Sequence, residues 1–97
     1  LLLDNGAYIE AKQKYGMTPL YLAAAGNHTN IINLLISNGA EIQTSSNYER
    51  TALHTAAYNG HAEAAKLLIE EGIDFKAKDQ DGLTALDLAI QKEHQNI

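Results

Sequence analysis

The sequence predicts an all-α repeat protein, a solenoid of helix–turn–helix units joined by β-hairpin-like loops. Three observations carry that prediction. One phrase returns at a fixed step of 33 residues: Thr18-Pro19-Leu20-Tyr21-Leu22-Ala23-Ala24-Ala25, then Thr51-Ala52-Leu53-His54-Thr55-Ala56-Ala57-Tyr58, then Thr84-Ala85-Leu86-Asp87-Leu88-Ala89-Ile90-Gln91. Separate registers keep the same step, at His28/His61/His94 and at Gly6/Gly39/Gly72. Between the phrases lie short apolar stretches with helical spacing, set off by glycine. A shared period of this length is the signature of stacked units that bury their apolar faces on one another.

Thr18-Pro19-Leu20, Thr51-Ala52-Leu53-His54, Asn59-Gly60-His61 and Leu34-Leu35-Ile36-Ser37-Asn38-Gly39-Ala40 together resemble the ankyrin-repeat family. Its phrase runs T-P-L-H-x-A-A, then N-G-H, a Leu-rich second helix and G-A. The resemblance covers essentially the whole chain and implies an ankyrin-repeat solenoid. It divides the chain into a partial repeat 1–15, repeats 16–48 and 49–81, and a partial repeat 82–97, one domain expected to belong to a longer array.

Taken in order, Leu1-Leu2-Leu3 aligns with Leu34-Leu35-Ile36 and Leu67-Leu68-Ile69, so the chain opens inside a second helix. Gly6 ends that helix in a left-handed conformation, as Gly39 and Gly72 should. Residues 7–17 form an extended connection with Ile9 tucked inward like Ile42 and Phe75. Thr18 and Pro19 read as N-cap and first helical residue of a helix from Pro19 to Ala25. Gly26-Asn27 breaks it, in an order inverted from Asn59-Gly60, which leaves the geometry of that turn open. A second helix spans Thr29 to Asn38, with Ile31, Ile32, Leu34, Leu35 and Ile36 as a wide apolar face. The connection 40–50 is the most irregular. Glu49 stands where Gly16 and Gly82 stand, and a glutamate tolerates positive φ poorly, so a locally altered turn is expected. Helices from Ala52 to Asn59 and from Ala62 to Glu71 follow, the latter packed closely through Ala62, Ala64 and Ala65. After the tip Asp79-Gln80-Asp81-Gly82, Thr84 and Asp87 have the spacing of a capping box. Leu86, Leu88 and Ile90 should lack part of their cover. Continuation of the array is the expected remedy, contact with another molecule the alternative.

Composition narrows the function. Hydrophobic residues make up 45% of the 97, which fits a folded domain. No apolar run reaches the roughly 18 residues of a membrane span, and no signal-peptide pattern opens the chain. Cysteine is absent, which fits an intracellular, cytoplasmic setting. With a net charge of −5, a pI near 5.2 and seven scattered basic residues, a nucleic-acid partner is not expected.

Candidate catalytic and metal groups fall away one by one. His28, His61 and His94 repeat once per unit, about one helix spacing apart, and cannot converge on a single zinc ion. They read as structural donors joining the two helices of a unit to nearby backbone. His54 occupies the family's T-x-L-H slot, which implies a structural bond between neighbouring repeats; Tyr21 and Asp87 replace it elsewhere. Asp79-Gln80-Asp81-Gly82 opens like a calcium loop but has Ile90 where the twelfth-position Glu belongs. No nucleophile sits at fixed spacing from a base, and no phosphate-binding glycine loop occurs. No enzyme activity, cofactor, metal, small-molecule substrate or membrane contact is expected.

What is left is a surface. In the family, hairpin tips and the exposed face of each first helix line a concave groove that binds protein partners. Carried over position by position, that groove comprises Lys12, Lys14, Tyr15, Met17, Ala25 and Gly26 in one unit, and Ser45, Asn47, Tyr48, Arg50, Tyr58 and Asn59 in the next. Lys78, Gln80, Asp81, Leu83, Gln91 and Lys92 complete it. Tyrosine and arginine are the residue types most often found at binding hot spots; the competing reading is that Tyr15 and Tyr48 only stiffen the tips. A non-enzymatic protein-interaction module is therefore the expected function. The alternative is a targeting or regulatory segment of a larger enzyme, channel or effector protein.

Overall fold

A computed structural model describes residues 16–92. The leading partial repeat, with Gly6, Ile9, Lys12, Lys14 and Tyr15, lies outside the described residues, as does His94. Five helices follow one another: α1 (Pro19–Ala25), α2 (Thr29–Ser37), α3 (Ala52–Tyr58), α4 (Ala62–Glu70) and α5 (Ala85–Gln91). Asn38, Asn59 and Glu71, expected as last helical residues, are C-caps instead.

The first helix of each pair starts the same way because its sequence does. Thr18, Thr51 and Thr84 hold extended backbone, and each side-chain oxygen accepts the N–H of the third helical residue: Tyr21, His54 and Asp87. Such a cap contributes about 1 kcal/mol by satisfying a donor that the helix leaves free. The Thr84–Asp87 capping box forms, its Oδ2 accepting the Thr84 N–H at 2.9 Å. In α3 a histidine completes the box, His54 Nδ1 accepting the Thr51 N–H at 3.0 Å.

α2 and α4 have no such side-chain cap of their own. In α4 the preceding turn supplies one, since Asn27 Oδ1 accepts the Ala64 N–H at 3.2 Å. The inverted Gly26-Asn27 pair thus keeps the same turn as Asn59-Gly60. The left-handed position is the second of the pair in both turns, with φ 59° at Asn27 and 74° at Gly60. Asparagine tolerates that region better than other side chains. Gly26 meanwhile leaves room for a neighbouring ring: a Cβ there would stand 2.5 Å from His28 Nε2.

The turn at Glu49 is likewise unaltered, which corrects the expectation of an altered turn there. Glu49 takes φ 61°, close to the 77° of Gly82. Two backbone bonds hold it there, Ser46 N–H to Arg50 O at 2.8 Å and Glu49 N–H to Ser46 O at 2.9 Å. The equivalent bonds in the next tip, Asp79 to Leu83 and Gly82 to Asp79, are each 2.9 Å. The backbone bonding of the turn has overridden a residue preference of about 1–2 kcal/mol. Among the described residues no strand forms; one isolated antiparallel bridge, Ser45 to Thr51, stands where a hairpin-like ladder was expected.

Helices α1, α3 and α5 lie side by side in one layer, while α2 packs on α1, α4 on α3, and α2 on α4. The core between them is leucine and alanine: Leu20, Ile32, Leu35, Leu53 and Leu68, with Ala23, Ala24, Ala56, Ala57, Ala64 and Ala65 letting the backbones approach. Ile42 packs against this core. Phe75, expected to tuck inward with it, is 56% exposed. It lines an open apolar recess with Leu53, Ile69, Ala85 and Leu86. Leu86 and Ile90 are exposed as expected, whereas Leu88 is fully buried. Among the described residues no helix is long and apolar enough to cross a membrane.

Candidate functional site

The two described tips are tied to each other and to the helices beneath. The Gln80 N–H donates to Tyr48 O at 2.9 Å, joining tip to tip. Behind that bond lies Asp79, the first residue of the tip Asp79-Gln80-Asp81-Gly82. Its Oδ1 accepts the N–H groups of Asp81 at 2.9 Å and Leu83 at 3.0 Å. Its Oδ2 accepts from Arg50 Nε at 3.3 Å, with the carboxylate side chain only 1% exposed. Burial alone would raise its pKa. The Leu83 and Asp81 N–H groups, the Arg50 guanidinium and the neighbouring His54 outweigh it and hold the carboxyl below its ordinary 3.8. The signal was present in the sequence, since an aspartate opening an x-Asp-Gly turn bonds the backbone two residues on. The same contacts spend this carboxylate on its own loop and on Arg50.

Arg50 is thereby held from two sides, by Asp79 at Nε and by the Tyr58 ring, whose centroid is 5.5 Å from its Cζ. Lys92, from the end of α5, brings its Nζ to 5.1 Å from the same ring. Tyr48, Arg50 and Asp81 line an open recess of about 210 Å³. Five predicted groove residues from four separate segments thus converge: Tyr48, Arg50, Tyr58, Asp81 and Lys92.

Other predicted positions do different work. Leu83 is half-buried and gives its carbonyl to His54 Nε2 at 2.8 Å, the inter-unit bond that the resemblance implied. Asn59 Nδ2 donates to Ala25 O at 3.3 Å and to Thr55 Oγ1 at 3.4 Å, so its amide is a tie between units. Asn47 lies close over Gly16, at φ 73°, where a Cβ would press on its side chain and the backbone would be strained. Ser45 forms the bridge to Thr51, and Met17 is half-buried. Lys78, Gln80 and Gln91 are exposed around the rim, and Lys12, Lys14 and Tyr15 lie outside the described residues.

One histidine assignment is corrected. His61 Nε2 donates to Ala25 O at 3.0 Å, in the preceding unit, where a bond joining the helices of its own unit was expected. The carbonyl at the end of α1 thus collects both Asn59 and His61, because a helix C-terminus leaves its last carbonyls open. His54 is buried with both ring nitrogens engaged. Among the described residues no three His, Cys, Asp or Glu side chains stand close enough to hold a metal ion. What the convergence offers chemically is recognition: two tyrosine faces, an arginine fork, an ammonium and a carboxylate on one rigid frame.

Residues 35–89, more than half of the chain, match the family model described as ankyrin repeats (many copies). Residues 1–46 match a second, described as ankyrin repeats (3 copies). No curated protein matches the chain.

Proposed function

The chain belongs to the ankyrin-repeat family, whose members' repeats are generally non-catalytic protein-interaction modules, and from that premise we propose that this one binds a partner protein through the groove between its hairpin tips and first helices. The observation that supports it is the convergence of Tyr48, Arg50, Tyr58, Asp81 and Lys92, held from behind by buried Asp79. A surface already ordered costs little conformational entropy on binding. Tyrosine and arginine bury large area while keeping a polar end.

Met17, Ser45, Asn47, Asn59, Lys78, Gln80, Leu83 and Gln91 form the surrounding part of the groove in this proposal. Lys12, Lys14 and Tyr15 extend it by one unit. Affinity capture from an extract of the source cells tests the reading, comparing the chain with a Tyr48→Ala/Tyr58→Ala variant whose helical circular dichroism is unchanged. A protein retained by the first and lost by the second supports groove binding. Equal retention by both moves the site to another face.

A further inference from the structure

We infer that the groove anchors a partner through one acidic side chain, an Asp or Glu carboxylate received between Arg50 and Lys92 across Tyr58. The inference rests on the groove reading above and names the chemistry that the groove selects.

Two cations are drawn to one ring, Arg50 Cζ at 5.5 Å and Lys92 Nζ at 5.1 Å from the Tyr58 centroid. The ring face attracts each of them, and an anion within reach of both would gain from two positive charges. The carboxylate that compensates Arg50, Asp79, is nearly sealed from solvent and meets it only at Nε. Nε carries one of the five guanidinium N–H groups. The four on the terminal nitrogens have no hydrogen-bond partner among the described residues, and they form the fork that matches a carboxylate bidentately. Lys92 makes no ion pair among the described residues.

Arg50 also lines the recess of about 210 Å³ with Tyr48 and Asp81, a space that a side chain can enter. Asp81 decides between anions. Its exposed carboxylate, which lines the same recess, disfavours a doubly charged phosphate more than a singly charged carboxylate. The net charge of −5 does not oppose this, because Glu63, Glu70 and Glu71 belong to α4 and its cap, in the other helix layer.

The test is a selection of phage-displayed random peptides on the chain, followed by fluorescence polarisation with the enriched peptides made synthetically. The inference expects every groove-binding peptide to carry an Asp or Glu whose change to Asn or Gln weakens binding about tenfold. Lys92→Gln, an exposed position at a helix end that leaves the fold intact, should weaken the same peptides several-fold and should cost nothing further once the peptide acid is removed. Arg50→Gln should do the same more strongly, with folding checked because Arg50 bonds Asp79. Higher salt should weaken the parent pair more than the Asn or Gln peptide.

Peptides lost on Tyr58→Ala but indifferent to their acid and to Lys92→Gln would overturn the inference and leave the groove reading standing. Peptides indifferent to Tyr58→Ala as well would overturn both. Tighter binding of a phosphotyrosine peptide than of its Glu counterpart, or a selection that enriches no acidic peptide, would also overturn the inference.

Discussion

Positions 33 residues apart carry the same or similar residues in the middle and at the end of the described chain, yet they do not do the same job. Leu53 in α3 is 2% exposed and its counterpart Leu86 in α5 is 59% exposed. Six residues of α3 are buried, against Ala85, Leu88 and Ala89 in α5. The tips differ the other way round. The later one is locked by Asp79 through three hydrogen bonds, whereas at the equivalent position Ser46 Oγ accepts the Tyr48 N–H at 3.3 Å. Sequence register sets which backbone groups meet; the surroundings set what each side chain is worth. Alone, a unit of this kind cannot bury its apolar face, so position in the stack decides energy.

Substituting equivalent leucines tests that difference most strongly. Leu53→Ala should cost about 2–5 kcal/mol, as truncation of a buried leucine does, and Leu86→Ala about 1 kcal/mol or less. Equal shifts of the urea midpoint would break the comparison. At the tips, Asp79→Ala should cost about 2 kcal/mol, since it removes a buried, charge-assisted set of bonds, and Ser46→Ala about 0.5–1 kcal/mol.

The acid side of the melting curve sharpens this pair. Asp79 has its folded pKa lowered, so its contribution is fully present above the unfolded value near 3.9 and is lost as pH falls through the folded value. The parent chain should therefore lose melting temperature more steeply below about pH 4 than Asp79→Asn does. Parallel curves would show that the carboxylate contributes nothing to the fold.

Smallest are the effects of the left-handed residues, and their signs are opposite. Gly82→Ala should destabilise by about 0.5–1 kcal/mol through backbone strain alone, because a Cβ there meets nothing within 4 Å. Glu49→Gly should stabilise by about 0.5 kcal/mol, as the relieved strain exceeds the added freedom of the unfolded chain.

The helices were legible in the sequence because capping threonines and apolar registers repeat, and each cap is a local bond within four residues. The turns at Asn27 and Glu49 were not. Their backbone is fixed by bonds to Ala64 and between Ser46 and Arg50, which a residue-by-residue φ preference does not see. His61 was misassigned for a related reason: its ring reaches Ala25, 36 residues back, and only the stacking brings that carbonyl near. Of the groove, the family positions brought Tyr48, Arg50, Tyr58, Asp81 and Lys92 into view. Of the bonds of Asp79 behind them, those to Asp81 and Leu83 were legible in the turn sequence, whereas the one to Arg50, 29 residues earlier, was not.

Photo-cross-linking tests the groove most directly. A photoreactive amino acid replaces exposed Gln91 in α5 in one version of the chain and exposed Glu70 in α4 in the other, and each is irradiated in extract of the source cells. Groove binding predicts a cross-linked partner from position 91, absent from position 70 and competed away by excess unlabelled chain. The same partner cross-linked from position 70 and not from position 91 would contradict it.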